Sequence, residues 1–198
     1  MEIRSDIVLK GSTWYDLQQG YVHRFFDTLW GVFLTCLSVG ILYDTQIEDE
    51  DDSEDEDKVT IPRTMFNRNA KEMEFYFQSA ILTSNSIHLS EKDRLYLAFS
   101  DSFSVEELSD SEKELLLKGV SDEALNFDKL AFLRKFANYG AQKLHENLTN
   151  NDSETMENLM DFLIASYNGE TDELIAMTEV EDLSDDEAFS NDEGSDDE

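Results

Sequence analysis

Apolar residues recur at intervals of three and four along much of this chain, which is the periodicity of helices that pack one face on a core. The most continuous case runs from about Tyr21 to Ile41, where apolar groups occupy several faces and predict a central helix. Further helices are predicted from Asn69 or Ala70 to Thr83, from about Asn126 to Leu148, and from Ser153 or Glu154 to Tyr167. The pattern therefore predicts a mainly α fold, a compact helical domain.

Capping signals add shorter elements to this plan. The predicted caps are Ser12 or Thr13 for a first helix, Ser90 with Asp93 for a helix through Phe99, and Ser104-Val105-Glu106-Glu107 for a helix ending near Gly119. Asp16 is expected to complement the N-terminal dipole of the first helix. Two short apolar segments, Ile3–Leu9 and Val59–Ile61, predict one short β pair beside the helices.

The net charge of -31 is concentrated in two segments. Glu48–Asp57 has nine acidic residues among ten, and Glu170–Glu198 has fourteen acidic residues and no Lys or Arg; the rest of the chain has 23 acids and 15 bases. Dense like charge repels itself and offers little apolar surface to offset the entropy of ordering. We therefore expect a helical globular domain over residues 1–168 with an acidic, disordered loop inserted at 46–58, followed by an acidic disordered tail at 169–198.

Charge, the length of the apolar stretch and the cysteine count indicate which partners and which cellular compartment to expect. Phosphate groups of nucleic acids and anionic lipids attract Lys and Arg clusters, so direct binding to either is not expected. Thr28–Tyr43 has no charge, but its sixteen residues are fewer than the roughly 20 that a bilayer core needs, which favours a buried helix. A single cysteine, Cys36, excludes an internal disulfide, and the N-terminus lacks a secretory signal pattern. We expect a cytoplasmic protein.

Residues that could carry catalysis or bind a metal are sparse. His23, His88 and His145 are isolated in sequence, Cys36 lies within an apolar helix, and no glycine-rich phosphate loop is present. The sequence therefore predicts no catalytic site, no cofactor and no metal site. An enzyme would remain the alternative if the fold gathered one of these histidines with carboxylates in a pocket.

The acidic segments are the candidate binding elements for a protein with a basic surface. Apolar residues interleaved with acids, as in the C-terminal segment, are typical of disordered segments that fold onto a partner. The predicted partner-binding residues are Asp49, Glu50, Asp51, Asp52, Glu54, Asp55, Leu174, Ile175, Met177, Val180, Leu183 and Phe189. Two alternatives stay open: a tail that only solubilises the chain, and a DNA mimic, which would require a fixed acidic stripe on the folded body.

Three stretches together carry a family resemblance. They are Tyr21-Val22-His23-Arg24-Phe25-Phe26 leading to Ser38-Val39-Gly40-Ile41, Ile61-Pro62-Arg63 followed by Glu74-Phe75-Tyr76-Phe77, and Phe132-Leu133-Arg134-Lys135-Phe136-Ala137-Asn138-Tyr139-Gly140. Over roughly residues 5 to 148 the chain resembles a small accessory family encoded beside bacterial DNA phosphorothioation (dnd) systems. The acidic insertion after Tyr43, the helix beyond Ser153 and the acidic tail depart from that family, as does Phe136, where the family pattern has tyrosine.

The resemblance implies an accessory role in anti-phage defence and supplies no catalytic residue. The predicted function is accordingly a non-enzymatic adaptor or subunit of a DNA-acting defence assembly, which binds a basic DNA-processing protein through its acidic segments. Independently of the resemblance, Asn138 and Tyr139 are expected to bond to a neighbouring loop or join helices, with Gly140 allowing another backbone to approach closely.

Overall fold

Helices make up most of this computed structural model, which describes residues 3–49, 58–100 and 109–171. The predicted mainly α fold with one short β pair is confirmed. The elements, in chain order, are β1 (Ile7–Lys10), α1 (Ser12–Tyr21), α2 (Leu29–Leu42), β2 (Lys58–Ile61), α3 (Arg63–Arg68), α4 (Ala70–Thr83), α5 (Glu91–Phe99), α6 (Asp110–Leu117), α7 (Asp122–Leu125), α8 (Lys129–Glu146) and α9 (Asp152–Asn168). Most of the predicted disordered loop and nearly all of the predicted tail lie outside the described residues.

The β pair is formed by two short segments whose side chains alternate between buried and more exposed positions. β1 and β2 are antiparallel, with Ile7 opposite Ile61 and Leu9 opposite Val59, and all four side chains are buried. A two-stranded sheet is marginal by itself, so its apolar face must be covered by other elements. The four strand residues belong to the same buried cluster as the helices.

The centre of the fold is the contact between α2 and α8. A Cβ on Gly40 would lie 2.0 Å from the carbonyl oxygen of Phe136, and one on Gly140 would lie 1.8 Å from that of Cys36. The two backbones therefore touch, as predicted for Gly140. Rings pack around the contact, with Phe132 edge-on to Phe136 at a centroid distance of 5.1 Å.

The uncharged stretch Thr28–Tyr43 is confirmed as a core helix. α2 has fourteen residues, and eight of them, including Val32, Phe33, Cys36 and Leu37, are buried. In the part of the chain that the structure describes, no helix has the length and apolar character needed to cross a membrane.

The continuous helix predicted from Tyr21 to Ile41 is wrong, because the chain turns between α1 and α2. Val22 is extended, His23 has a φ of 63°, and the His23 backbone N–H donates to the Phe26 carbonyl at 2.7 Å. Thr28 then restarts the helix by accepting a hydrogen bond from the Gly31 backbone N–H with its hydroxyl oxygen. A local turn and a new cap thus override an apolar pattern that looked uninterrupted.

The helix predicted from Asn126 to Leu148 is also corrected at its start. The carboxylate of Asp128 accepts hydrogen bonds from the backbone N–H groups of Leu130 and Ala131, so α8 begins at Lys129. The short α7 precedes it and was not predicted. Before α7, the helix expected from Ser104 begins at Asp110 and ends at Leu117, while Ser104 itself lies outside the described residues.

Two helices, α4 and α5, were predicted closely. α4 has the predicted bounds, and α5 opens on Ser90, whose hydroxyl accepts from the Asp93 backbone N–H at 3.2 Å. Asp16 was misassigned: it lies beyond the first turn of α1, and its carboxylate pairs with His145 instead. The six-residue α3 after Pro62 was not predicted, and it buries Phe66.

α9 is attached to the body mainly through one aromatic residue. The buried ring of Tyr43 stacks on Phe162 with centroids 6.3 Å apart, and its hydroxyl lies 2.9 Å from Ser166 Oγ and 3.0 Å from Thr171 Oγ1. Gly169 closes the helix in the left-handed conformation with a φ of 70°. The acidic C-terminal segment therefore starts from a fixed point.

Candidate interaction site

Two hydrogen bonds hold Ile47, the residue directly before the acidic run, against α8. The Ile47 N–H donates to the Lys135 carbonyl at 3.0 Å, and the Asn138 side-chain amide donates to the Ile47 carbonyl at 3.1 Å. An extended segment beside a helix has unpaired backbone groups, and these two bonds satisfy both groups of Ile47. We call Ile47, Glu48 and Asp49 the anchor segment.

Asn138 joins three parts of the fold at this point. Its side-chain oxygen accepts from the indole N–H of Trp14 at 2.9 Å, while its amide nitrogen also donates to Asp49 at 3.1 Å. Trp14 is almost fully buried, so its N–H needs an internal acceptor. The predicted bonding of Asn138 to a neighbouring loop is thereby confirmed.

Ion pairs complete the anchor segment. Arg134 contacts Asp49 and Lys135 contacts Glu48, in both cases from α8. The Asp49 and Arg134 side chains are about three-quarters buried, whereas Glu48 is mostly exposed. An exposed ion pair contributes at most about 1 kcal/mol. The backbone and amide bonds of Ile47 and Asn138 therefore set the position, and the cations of α8 reinforce it.

Both ends of the acidic run are fixed as a result. The run leaves the anchor segment after Asp49 and returns at Lys58, which pairs with Lys10 across the β sheet. Of the residues predicted to bind a partner, Asp49 is placed by the structure, in contact with Arg134 and Asn138. The others lie outside the described residues, namely Glu50, Asp51, Asp52, Glu54, Asp55, Leu174, Ile175, Met177, Val180, Leu183 and Phe189.

The cations that hold the anchor segment were not identified from the sequence. Arg134 and Lys135 are adjacent bases on an otherwise amphipathic helix, and that pairing was the available signal. Trp14 gave no such signal, because its indole is buried 124 residues away from Asn138 along the chain. A cavity of about 20 Å³ beside them, bordered by Thr13 and Ile47, has room for about one water molecule and not for a ligand.

One histidine does meet a carboxylate in a groove. His145 Nε2 lies 3.1 Å from Asp16 Oδ2 in a groove of about 400 Å³ that Gln19, Arg24 and Thr149 also line. Catalysis by such a pair needs a nucleophile or a bound group for the imidazole to activate. Thr149 does not serve, because its hydroxyl donates to the Asn151 carbonyl at 3.0 Å, and Arg24 is paired with Asp152.

The remaining candidates for chemistry are dispersed. His88 lines a separate groove with Lys135, and His23 lies in the turn between α1 and α2. Cys36 is fully buried, and desolvation raises the pKa of its thiol above the ordinary value, which disfavours the nucleophilic thiolate. Among the described residues, no cluster of three or more His, Cys, Asp or Glu side chains is arranged to hold a metal ion.

Comparison with known proteins adds no relative to this description. No family model matches the chain, and searches of curated proteins and of solved structures gave no significant match.

Proposed function

We propose that this chain is a non-enzymatic binding subunit that docks on a basic surface of a protein partner through its acidic segments. The observation that carries the proposal is the fixed attachment of the acidic run at Asp49 and at Lys58. A charged segment held at both ends stays near one face of the body, so part of the entropy cost of docking is already met on folding.

The distribution of charge supports the same proposal. All fifteen Lys and Arg residues fall within the described residues, together with 22 acids, while the other 24 acids lie in segments with no base at all. Several of the bases are used internally, as in Arg24 with Asp152, Arg134 with Asp49 and Lys135 with Glu48. Most of the net negative charge therefore lies outside the described residues, in segments without a base, and this distribution supports a basic partner.

Each acidic segment has a different part in this proposal. Glu50–Asp57, with seven acids in eight residues, would steer a basic surface towards the body by long-range attraction. The C-terminal segment adds apolar side chains, from Leu174 to Phe189, that would hold the partner after contact. Asp49, which is paired with Arg134, has the role of anchoring the run.

The resemblance to the accessory family of DNA phosphorothioation systems supports a class of partner. In this proposal the partner is a DNA-processing component of such a defence system, whose basic DNA-binding surface offers the complementary charge. Binding there would shield that surface from DNA until the system acts.

The test is a pull-down from the native host with four forms of the tagged chain, at about 0.05 M and about 0.5 M salt. The forms are the full chain, a chain with the seven acids of Glu50–Asp57 changed to amides, a chain ending at Thr171, and a control, Glu72→Gln with Glu114→Gln. Ending at Thr171 keeps the Gly169 cap and the Tyr43 hydrogen bond to Thr171.

We expect the full chain and the control to retain a basic DNA-processing protein at low salt only, and at least one of the two acidic-segment variants to lose it. Retention by both of those variants would show that the folded body makes the interface, which contradicts the proposal. Mass spectrometry identifies the protein, and added double-stranded DNA shows whether the chain and DNA compete for it.

A DNA mimic remains the second candidate, and the body alone is too weakly charged for it. Duplex DNA carries one charge per about 1.7 Å, so a 30 Å footprint presents about 18 negative charges. The described residues have only seven more acids than bases. DNA mimicry would thus depend on the acidic segments. The chain with the seven acids of Glu50–Asp57 changed to amides would test it, because a mimic neutralised in this way should no longer compete with DNA for the partner.

A further inference from the structure

The outer face of α9 carries a row of large apolar side chains that no other described element covers. Met156, Met160, Ile164 and Tyr167 follow one another at intervals of four, four and three residues, and their exposed fractions are 41%, 48%, 52% and 89%. Such spacing places them on one side of the helix. We call these four residues the α9 stripe.

The core does not account for the α9 stripe. α9 buries Thr155, Leu159 and Ser166 on its inner side, with Phe162 stacked on Tyr43. Leu159 is buried, whereas its apolar neighbours Met156 and Met160 are exposed. Single exposed apolar residues are normal, whereas a contiguous row of four on one helix face is typical of an interaction surface.

An acidic row borders the α9 stripe along its outer edge. Glu154, Glu157 and Asp161 are exposed and, at 3.6 residues per turn, lie roughly 100° around the helix from the stripe. α9 contains no Lys or Arg, and among the described residues none of these three carboxylates has an ion-pair partner. An apolar stripe with an acidic edge is complementary to a helix that has an apolar stripe with a basic edge.

We propose that the α9 stripe binds a basic amphipathic helix of the partner protein. Two methionines adapt their shape to different side chains, and Tyr167 offers both a ring and a hydroxyl, as at other helix-binding surfaces. The inference rests on the proposed function, because its occupant belongs to the same basic partner.

Charge decides against two other occupants. Residues 172–198 contain apolar side chains but also 13 acids and no base, so placing them on the stripe would bring like charges against Glu157 and Asp161. A second copy packed stripe to stripe in the antiparallel orientation would do the same, because that packing places both acidic rows on the same side of the contact. A basic helix would be attracted to Glu157 and Asp161, whereas these two occupants would be repelled by them.

The experiment uses the full chain and two synthetic helical peptides of about five turns, the length of α9. Both peptides have leucines at positions i, i+3, i+4 and i+7; one has lysines at the remaining positions and the other has glutamates. Calorimetry measures their binding to the native chain, to Met160→Gln with Ile164→Gln, and to Phe75→Gln. Phe75 is 65% exposed on α4 and serves as the matched control for loss of exposed apolar surface.

We expect the lysine peptide to bind the native chain and the Phe75→Gln chain alike, and the stripe variant at least about tenfold more weakly. Glu157→Gln with Asp161→Asn should weaken binding at low salt and leave it nearly unchanged at high salt. Equal binding by the stripe variant, or equal binding of the glutamate peptide, would overturn the inference.

Two further results would assign the stripe to another occupant. Binding that becomes about tenfold tighter in a chain ending at Thr171 would show that residues 172–198 cover the stripe. Dimerisation in sedimentation experiments that Met160→Gln with Ile164→Gln abolishes would show a second copy there. Either outcome overturns the choice of a basic helix.

The pull-down separates this inference from the proposed function. If the stripe variant still retains the host partner and neutralised Glu50–Asp57 does not, the inference fails and the proposed function stands. If only the stripe variant loses the partner, the stripe binds it and the acidic segments do not.

Discussion

Two glycines set the distance between the central helices. Because Gly40 and Gly140 have no side chains, the α2 and α8 backbones approach until a Cβ on either glycine would overlap a carbonyl group of the other helix. The rings of Phe132, Phe136 and Phe77 then fill the space beside this contact. A residue-scale detail thus fixes α8, and with it Arg134 and Lys135, relative to the rest of the core.

Gly140→Ala should destabilise the fold by about 3 kcal/mol or more, because its Cβ would lie 1.8 Å from the Cys36 carbonyl oxygen and both backbones must move. Gly31→Ala is the matched control, since its Cβ would meet only the Phe26 ring edge at 3.2 Å and a helix-interior alanine is favourable. Urea unfolding measures both changes. Equal stability of the two variants would show that α2 and α8 are not in backbone contact.

Tyr21 should make stability fall at alkaline pH. Its buried hydroxyl donates to the Leu144 carbonyl at 2.9 Å, and burial, with a smaller effect of Cys36, raises its pKa to about 12. In the unfolded chain the pKa is about 10. Above pH 10 the unfolded state releases this proton first, so the free energy of unfolding decreases by about 1.4 kcal/mol per pH unit until about pH 12.

The measurement compares the native chain with Tyr21→Phe by urea unfolding from pH 8 to pH 12. We expect the variant to be about 1 kcal/mol less stable at pH 8 and to lose less stability as the pH rises, so that the two curves cross at about pH 11. Parallel curves would show that Tyr21 titrates normally in the folded protein.

At the scale of elements, the sequence predicted what local signals determine. α5 was placed well because the Ser90 cap acts within one turn of the helix start, and α9 because Gly169 acts at its end. α4 has no side-chain cap hydrogen bond, and its apolar periodicity was enough to place it. The break after Tyr21 was missed, because the conformation of His23 depends on a turn that hydrophobic periodicity does not encode. The contacts of Asn138 with Trp14 and Ile47 join residues about 90 or more positions apart, and periodicity gives no register for them.

α9 should open more readily than the core when its attachment to Tyr43 is weakened. Tyr43→Phe removes the hydroxyl that bonds to Ser166 and Thr171 but keeps the ring on Phe162, which costs about 1 kcal/mol. We expect faster hydrogen exchange of the α9 amides, by about fivefold, with little change in α2 and α8. Tyr15→Phe, at an exposed position of α1, is the control.

Mass spectrometry of peptides covering α9, α2 and α8 measures hydrogen exchange in the native chain, in Tyr43→Phe and in the Tyr15→Phe control. If exchange in α8 accelerates together with that in α9, the last helix unfolds only with the whole core, and its attachment through Tyr43 is not a separate unit.

At the scale of the whole molecule, the charge of the chain opposes its fold. Negative charges repel one another more strongly in the compact folded state than in an extended unfolded chain, and salt screens that repulsion. The chain is fixed on both sides of residues 50–57, at Asp49 and at Lys58, whereas residues 172–198 are joined to the described fold at Thr171. The effect of one negative charge on the free energy of unfolding should therefore differ between residues 50–57 and residues 172–198.

Raising salt from about 0.05 M to about 0.5 M should raise the urea midpoint of the native chain, because the Debye length falls from about 14 Å to about 4 Å. Changing the seven acids of Glu50–Asp57 to amides should remove more of this salt effect per charge than ending the chain at Thr171. The reason is that attachment of the chain at Asp49 and at Lys58 limits how far the seven charges between them can lie from the acids of the body. An equal effect per charge would mean that attachment at Asp49 and Lys58 does not hold the run near the body, and the proposed docking of a preplaced acidic run would lose its basis.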